Sequence, residues 1–292
     1  MIPHGAEPAG VHVIGASGRS GAALCRSLAA DGVAFVPVVR DAARWAATGL
    51  AGAPLLADVT DGSAVAAALA GATHVVSCAH ARHAAAILAA APADATFVFL
   101  GSTRKFTRWP DTHGNGVLAG EAAFLAAGRR GVMLHPTMIY GAQGEDNVQR
   151  LARLLRRLPV VPLPEGGRAL VQPIHQDDLT RCIRAALRVD WSGAQALVIG
   201  GPVALSYAAF VRAVAEASGL ARPWIVPVPA APLRLVAALV GRLPGMPRIG
   251  ADEIRRLTED KAFDVGEMQA RLGVQTRPLQ NGLASIPFAL TG

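Results

Sequence analysis

The sequence predicts an α/β protein: a doubly wound parallel sheet with helices on both faces, followed by a small, mostly helical C-terminal lobe. Three observations predict it. Short apolar runs alternate with alanine-rich helical stretches through the first half of the chain, a glycine turn joins the first run to the first helix, and the pattern becomes mostly helical after Gly200-Gly-Pro202.

The elements follow in order. Val11–Ile14 is a strand entering the glycine turn, and Ser20–Ala30 is helical. Val33–Val39 is a buried strand, and Leu55–Asp58, Val75–Ser77 and Thr96–Leu100 supply three more. A strand at Val132–His135 stops at Pro136, consistent with proline's poor fit to a sheet interior. Beyond it lie an arginine-rich helix at Asn147–Leu158, a short strand at Ala169–Pro173, a helix at Asp178–Val189 and a late strand at Ala196–Ile199. Ser206–Ser218, Ala230–Arg242 and Ala251–Leu257 are the helices of the lobe, with the proline-rich stretch Pro223–Pro232 as a rigid crossover inside it. Arg150–Arg157 offers no clear apolar seam for dimerisation, so a homo-oligomer or a protein partner stays open.

Composition limits the function classes. With 292 residues and 52% hydrophobic, the chain can bury one large core. The net charge of +7 is spread along the sequence rather than gathered into a run or a Cys/His finger, so nucleic-acid binding is not expected. Cys25, Cys78 and Cys182 are widely spaced in apolar surroundings and read as reduced, buried thiols. No cationic leader precedes a long apolar segment, and Ala230–Val240 falls short of the roughly 20 residues of a membrane span. It supports a packed or surface-lying helix, and a cytoplasmic location is expected. His175 with Asp177 and Asp178 invites a metal reading, but adjacent acids there fit the start of a helix, and no metal is expected.

Gly15-Ala-Ser-Gly18-Arg-Ser-Gly21 carries the most chemistry. A strand that turns sharply into a helix brings its backbone against a pyrophosphate and points free amides at the negative charge. Gly15 permits the turn, Gly18 the close approach and Gly21 the packing of helix on sheet, so a dinucleotide site is expected. Arg40 at the end of the second strand, with Arg19 in the loop, favours NADP through the adenosine 2′-phosphate, and NAD is the alternative because Asp41 follows. Asp58 is a candidate for the adenine edge or for a helix cap, a role for which Asp61 competes.

Longer stretches extend this reading. VIGASGRSG at 13–21, LADVTD at 56–61, FLGST at 99–103, HPTMIYG at 135–141 and VQPIHQDDLTRCI at 171–183 occur in order. With EIRRLTEDKAFD at 253–264 and LGVQTRPLQNGL at 272–283, the chain resembles the extended and atypical short-chain dehydrogenase/reductase superfamily, in its NAD(P)-dependent epimerase/dehydratase-like branch. The resemblance implies a Rossmann-type nucleotide-binding domain over 1–200 and a helical substrate or partner lobe over 201–292, with 142–180 a candidate contributor to the lobe. It implies that Gly15, Ser17, Gly18, Arg19, Ser20 and Gly21 cradle the pyrophosphate, that Arg40 meets the adenosine phosphate and that Asp58 and Val59 flank adenine. Cys78, Ala79 and His80 would line the nicotinamide side, with Pro136, Thr137 and Met138 beneath it.

The pattern fails at the reaction centre. Active members carry a tyrosine and a lysine four residues apart on one helix face, where the ammonium lowers the phenol's pKa. This chain holds two tyrosines and two lysines, and neither Tyr140 nor Tyr207 has a lysine four residues on. Counting back from Glu121, the two positions fall at His113 and Val117. His113, oriented by Asp111, is a candidate proton donor alongside Ser102 and Thr103. The competing reading is a surface or loop histidine, because Gly114, Asn115 and Gly116 make a poor helical scaffold. Lys105 is read as part of an exposed loop.

Two function classes stand. One is an NADP-dependent oxidoreductase acting on a small carbonyl substrate without the usual pair. The other is a non-catalytic NADP-binding sensor, regulatory or assembly protein. An NAD-dependent sugar-nucleotide epimerase or dehydratase ranks lower, since it needs a competent proton shuttle.

Overall fold

The computed structural model describes residues 8–142, 147–233 and 251–288. Its centre is a seven-stranded parallel sheet. The strands are β1 (Val11–Ile14), β2 (Phe35–Val39), β3 (Leu55–Leu56), β4 (His74–Ser77), β5 (Thr96–Leu100), β6 (Gly131–Pro136) and an edge strand, Ala194–Ile199. Their spatial order is edge strand, β6, β5, β4, β1, β2, β3. The chain therefore reverses direction of travel between β1 and β4, and the crevice at their carboxyl ends is where ligands bind in such sheets.

Strand periodicity sorts side chains between the two faces. Val11, Val13, Val76, Val98, Leu100, Val132 and Leu134 pack with α1 (Arg19–Ala30) and the helix Gln176–Leu187 on one side. Ile14, Val38, Val75, Phe97, Phe99 and Met133 pack on the other with α3 (Gly62–Ala68), α4 (Ala84–Ala90) and α5 (Thr112–Ala127). Phe99 and Phe124 meet edge to face at 5.1 Å on that second side. Sheet strands buried on both faces explain why the apolar runs of the sequence are nearly continuous.

A third apolar cluster lies outside the sheet. It joins Tyr140, Val148, Ala152, Leu155, Val161 and Leu163 to Phe210, Val211, Val214, Leu279 and Leu283. The arginine-rich helix Asn147–Arg157 thus has an apolar face after all, spaced at Val148, Ala152 and Leu155 and spent on this cluster. One further expectation is corrected here. Part of Pro223–Pro232 is a strand, Trp224–Val228, paired in parallel with Val160–Pro164. Its β-branched and aromatic residues favour extended backbone, and its one proline, Pro227, suits a two-stranded ribbon without further neighbours. Most of the predicted helix Ala230–Arg242 lies outside the described residues.

Candidate functional site

The glycine turn sits at the carboxyl end of β1, in the crevice. Gly15 has φ +74°, a left-handed conformation that favours glycine. Its N–H donates to the Val38 carbonyl (3.0 Å), and Cys78 N–H donates to the Ile14 carbonyl (2.9 Å), so the turn is held between the ends of β2 and β4. A Cβ at Gly21 would lie 2.2 Å from the Gly15 carbonyl oxygen and 2.9 Å from the Ala16 Cα, which leaves no room for any side chain. Gly18 caps α1 without a side-chain hydrogen bond, and the first turn of α1 carries no acidic residue. Bare amides and a positive helix end make a cradle that fits a pyrophosphate.

Arg40 is exposed at the end of β2, two residues past the carbonyl that holds Gly15. Asp41 is turned to another task, accepting from the N–H groups of Ala43 (2.8 Å) and Arg44 (3.3 Å) as the N-cap of α2 (Ala42–Ala46). Ala57 N–H donates to the Val39 carbonyl (2.9 Å), which brings Asp58 and Val59 to the same edge. Asp61 takes the N-cap of α3, while Asp58 accepts from the Thr60 N–H (2.9 Å) and hydroxyl (2.7 Å). Those bonds, with Arg40 nearby, hold the Asp58 carboxyl below the usual range. Arg19 is exposed at the start of α1, and Ser17 is half-buried within the turn. Ser20 donates its hydroxyl to Oε1 of the buried Gln176 (3.1 Å).

On the opposite wall, a Cβ at Gly15 would stand 3.1 Å from the Ala79 nitrogen, so the Cys78–His80 segment lies directly against the turn. Burial pushes the Cys78 thiol well above its ordinary pKa, and Cys25 beside it adds to the effect. His80 then reaches α5: its Nε2 lies 3.1 Å from His113 Nδ1. His113 is half-buried in the first turn of a 16-residue helix, which corrects the loop reading. The helix forms through its glycines because Asp111 caps it, accepting from Gly114 N–H (2.8 Å), and because those glycines are contact surfaces. Cβ atoms at Gly114, Gly116 and Gly120 would stand 2.9 Å from the Arg104 carbonyl oxygen, 2.9 Å from His80 Cε1 and 1.9 Å from the Ala81 carbonyl oxygen, respectively. Val117, where the count back from Glu121 puts the lysine position, is buried in the core.

The hydrogen bonds around His80 and His113 assign their tautomers. Arg82 N–H donates to His80 Nδ1 (3.1 Å), so a neutral His80 carries its proton on Nε2 and donates it to His113 Nδ1. His113 then holds its own proton on Nε2. Burial first, and then His113 and Arg82, bring His80 down to about 4. Burial and Arg104 also lower His113, so the neutral pair is the form at neutral pH.

Ser102 and Thr103 follow β5, where the short 3-10 turn Thr103–Phe106 begins. Ser102 Oγ accepts from the Arg104 N–H (3.1 Å) and keeps its own proton to donate. Thr103 gives its hydroxyl proton to the Pro136 carbonyl (3.2 Å), tying this turn to the end of β6. Pro136 and Thr137 are buried and Met138 is half-buried; Thr137 N–H donates to the Ile199 carbonyl (2.9 Å). Arg104 pairs with Asp111, so the Ser102 turn and the start of α5 are fixed to each other.

Lys105 is not in an exposed loop. Its ammonium donates to Glu121 Oε1 (2.7 Å), and Glu121 Oε2 accepts from His135 Nε2 (2.9 Å). His135 Nδ1 accepts from the Ser102 N–H (3.1 Å), so this trio, with His135 buried and Lys105 and Glu121 half-buried, reaches the Ser102 turn from behind. Together with Phe106, Asp264 and Glu267 it borders a polar cavity of about 390 Å³. The sequence signal was the Lys105–Glu121 pair, which becomes visible once Glu121 is placed on α5. Glu259, also unpredicted, accepts from the Thr107 hydroxyl (2.9 Å) and the Arg108 N–H (2.7 Å) and holds the far end of the segment.

His175 caps the helix Gln176–Leu187, its Nδ1 accepting from the Asp177 N–H (3.2 Å), and Asp178 accepts from Arg181 (3.0 Å) and Arg277 (3.1 Å). No helix among the described residues is long and apolar enough to cross a membrane.

Residues 15–117 match the NAD(P)H-binding protein family. No curated protein matches the sequence. Among solved structures, the chain is similar to NADPH-dependent quinone oxidoreductase QOR2 from Escherichia coli in complex with NADPH (TM-score 0.73, 16% identity, 94% of this chain and 98% of that one). It is similar to MoeE5 in complex with UDP-glucose and NAD (0.68, 22%, 94% and 96%). It is also similar to UDP-glucuronic acid 4-epimerase from Bacillus cereus in complex with UDP-glucuronic acid and NAD (0.69, 16%, 94% and 96%). The chain thus carries an NAD(P)-binding domain of Rossmann type and shares its fold with these nicotinamide-nucleotide-bound proteins.

Proposed function

We propose that the protein is an NADP-dependent oxidoreductase that reduces a small carbonyl substrate, with His113 and Ser102 as hydrogen-bond donors to the carbonyl oxygen. The observation that carries this reading is the His80–His113 pair, set beside the glycine turn at the position of the missing phenol. The preference for NADP rests on Arg40, which is exposed while Asp41 is engaged as a cap. Arg19 would assist it, Gly15, Gly18, Gly21 and the α1 amides would hold the pyrophosphate, and Asp58 and Val59 would flank adenine. Cys78, Ala79 and His80 would border the nicotinamide on one side, with Pro136 to Met138 beneath.

The reduced nicotinamide, when bound, supplies a hydride to the carbonyl carbon. His113 Nε2–H and the Ser102 hydroxyl stabilise the negative charge that develops on oxygen. Because its pKa is lowered, His113 stays neutral and acts as an electrostatic donor, and the proton that completes the alcohol comes from water. Thr103 positions the turn, since its proton is committed to Pro136.

A second reading, a non-catalytic NADP-binding protein, is favoured by Val117, which is buried where a lysine would be needed, and by the polar walls of the cavity at Lys105. Calorimetric titration of cofactor-stripped protein with NADPH and NADH, followed by a carbonyl panel, separates the readings. Tight NADPH binding with turnover supports the reductase. NADPH binding without turnover of any carbonyl supports the second reading, and binding of neither nucleotide overturns both.

A further inference from the structure

The ribbon formed by Val160–Pro164 and Trp224–Val228 presents an apolar face to solvent. Trp224 stands opposite Val160, and Val226 opposite Pro162. Trp224 is 77% exposed, Val160 47% and Val226 41%, and Pro162 is exposed beside them, while Val161 and Leu163 on the other face are buried in the third apolar cluster. A tryptophan with most of its indole in water is an unusual use of the largest side chain.

The surround is basic. The helix Asn147–Arg157 leads into the ribbon and exposes Arg150, Arg153, Arg156 and Arg157, and Arg222 is exposed two residues before Trp224. Residues 147–164 and 220–229 together hold these five arginines and no acidic residue, with Glu145 and Asp146 just before the first segment and Glu165 just after it. In sequence the chain continues directly into the apolar stretch Ala230–Val240, which contains no acidic residue either. Tryptophan settles at the boundary between headgroups and acyl chains, and clustered arginine is attracted to anionic headgroups. Four side chains make a face too small for a stable protein interface, which covers roughly 800 Å² on each partner.

We propose that this face is a peripheral membrane-binding surface, with Trp224 and Val226 inserting shallowly into a bilayer rich in anionic phospholipid and the Arg150–Arg157 face lying on its headgroups. The test is co-sedimentation of the full chain with phosphatidylcholine vesicles, with and without phosphatidylglycerol, accompanied by Trp fluorescence. The expected result is binding only when phosphatidylglycerol is present, with a blue shift, weakened by salt. W224S/V226S and R150Q/R153Q/R157Q are each expected to bind about tenfold more weakly, the former with a melting temperature near the parent's because Trp224 and Val226 are exposed. Wild-type protein that stays in the supernatant with anionic vesicles overturns the proposal. So does undiminished binding by W224S/V226S, or a dimer in sedimentation velocity that dissociates in that variant, which would make the face a contact between two copies.

Discussion

The imidazole rings of His80 and His113 meet edge to face, centroids 4.4 Å apart and nearly perpendicular. The contact exists because Gly116 leaves His80 space and because Arg82 N–H fixes which nitrogen of His80 accepts. The result is one directed chain of donors, ending on the Nε2–H of His113. Loss of a single donor to a developing oxyanion costs about 10²- to 10³-fold in kcat. H113A is therefore expected to lower kcat by about 10²-fold with the Kd for NADPH unchanged, measured by steady-state kinetics and calorimetry. A variant with parental kcat would remove His113 from the chemistry.

Acid sensitivity follows from the same histidines. His135 is brought down to about 4 by burial and then by Lys105, and His80 to about 4 by burial, whereas an unfolded histidine titrates near 6.5. Between about 6.5 and 4 the unfolded chain therefore binds more protons than the folded one, and stability falls as pH falls through that window. Above about pH 7 the histidines add no slope. The melting temperature, followed from about pH 7 down to 4.5, is expected to drop. H135Q can keep a donor toward Glu121 without a titrating ring, so its slope over that range is expected to be shallower, whatever its absolute melting temperature. An unchanged slope would assign the acid sensitivity to other groups.

The glycine turn was legible in the sequence, and the features around it that were not share a cause. Gly15, Gly18 and Gly21 announced themselves because each answers a backbone requirement that operates over seven residues. Asp111 and Glu121 belong to one helix, yet Gly114 and Gly116 concealed it, because intrinsic propensity counts glycine against a helix and cannot count tertiary contact in its favour. The contacts of Gly114 with the Arg104 carbonyl and of Gly116 with His80 arise from segments outside the helix. Lys105, Glu121 and His135 were likewise separate residues until β6 and α5 brought them together. Trp224–Val228 was hidden by Pro227 and the flanking Pro223 and Pro229, which argue against an interior strand but not against a two-stranded ribbon.

The proposed preference for NADP turns on Arg40. A hydrogen bond to a charged partner contributes about 1.5–3 kcal/mol, or about 10- to 150-fold in affinity. R40S is expected to weaken NADPH binding by that factor and to leave NADH nearly unaffected, because the 2′-phosphate is the only group the two nucleotides do not share. Equal losses for both nucleotides in calorimetry would place Arg40 on the common pyrophosphate or on the fold.

Gly21 and Gly62 provide a paired test of the cradle. Both stand in the first turn of a helix, but a Cβ at Gly21 would meet the Gly15 carbonyl oxygen at 2.2 Å, whereas a Cβ at Gly62 meets nothing within 4 Å. The obstacle at Gly21 is backbone, so relief requires the turn itself to move. Overpacking of this kind costs about 1–3 kcal/mol, and displacement of the Gly15 carbonyl also disturbs the amides that face the pyrophosphate. G21A is expected to lower the melting temperature and to weaken NADPH and NADH alike. G62A, which adds only a better helix former at an open position, is expected to leave both nucleotides unaffected and stability equal or slightly raised. If G21A melts like the parent and binds nucleotide as well, the close contact between α1 and the glycine turn is not what shapes the site.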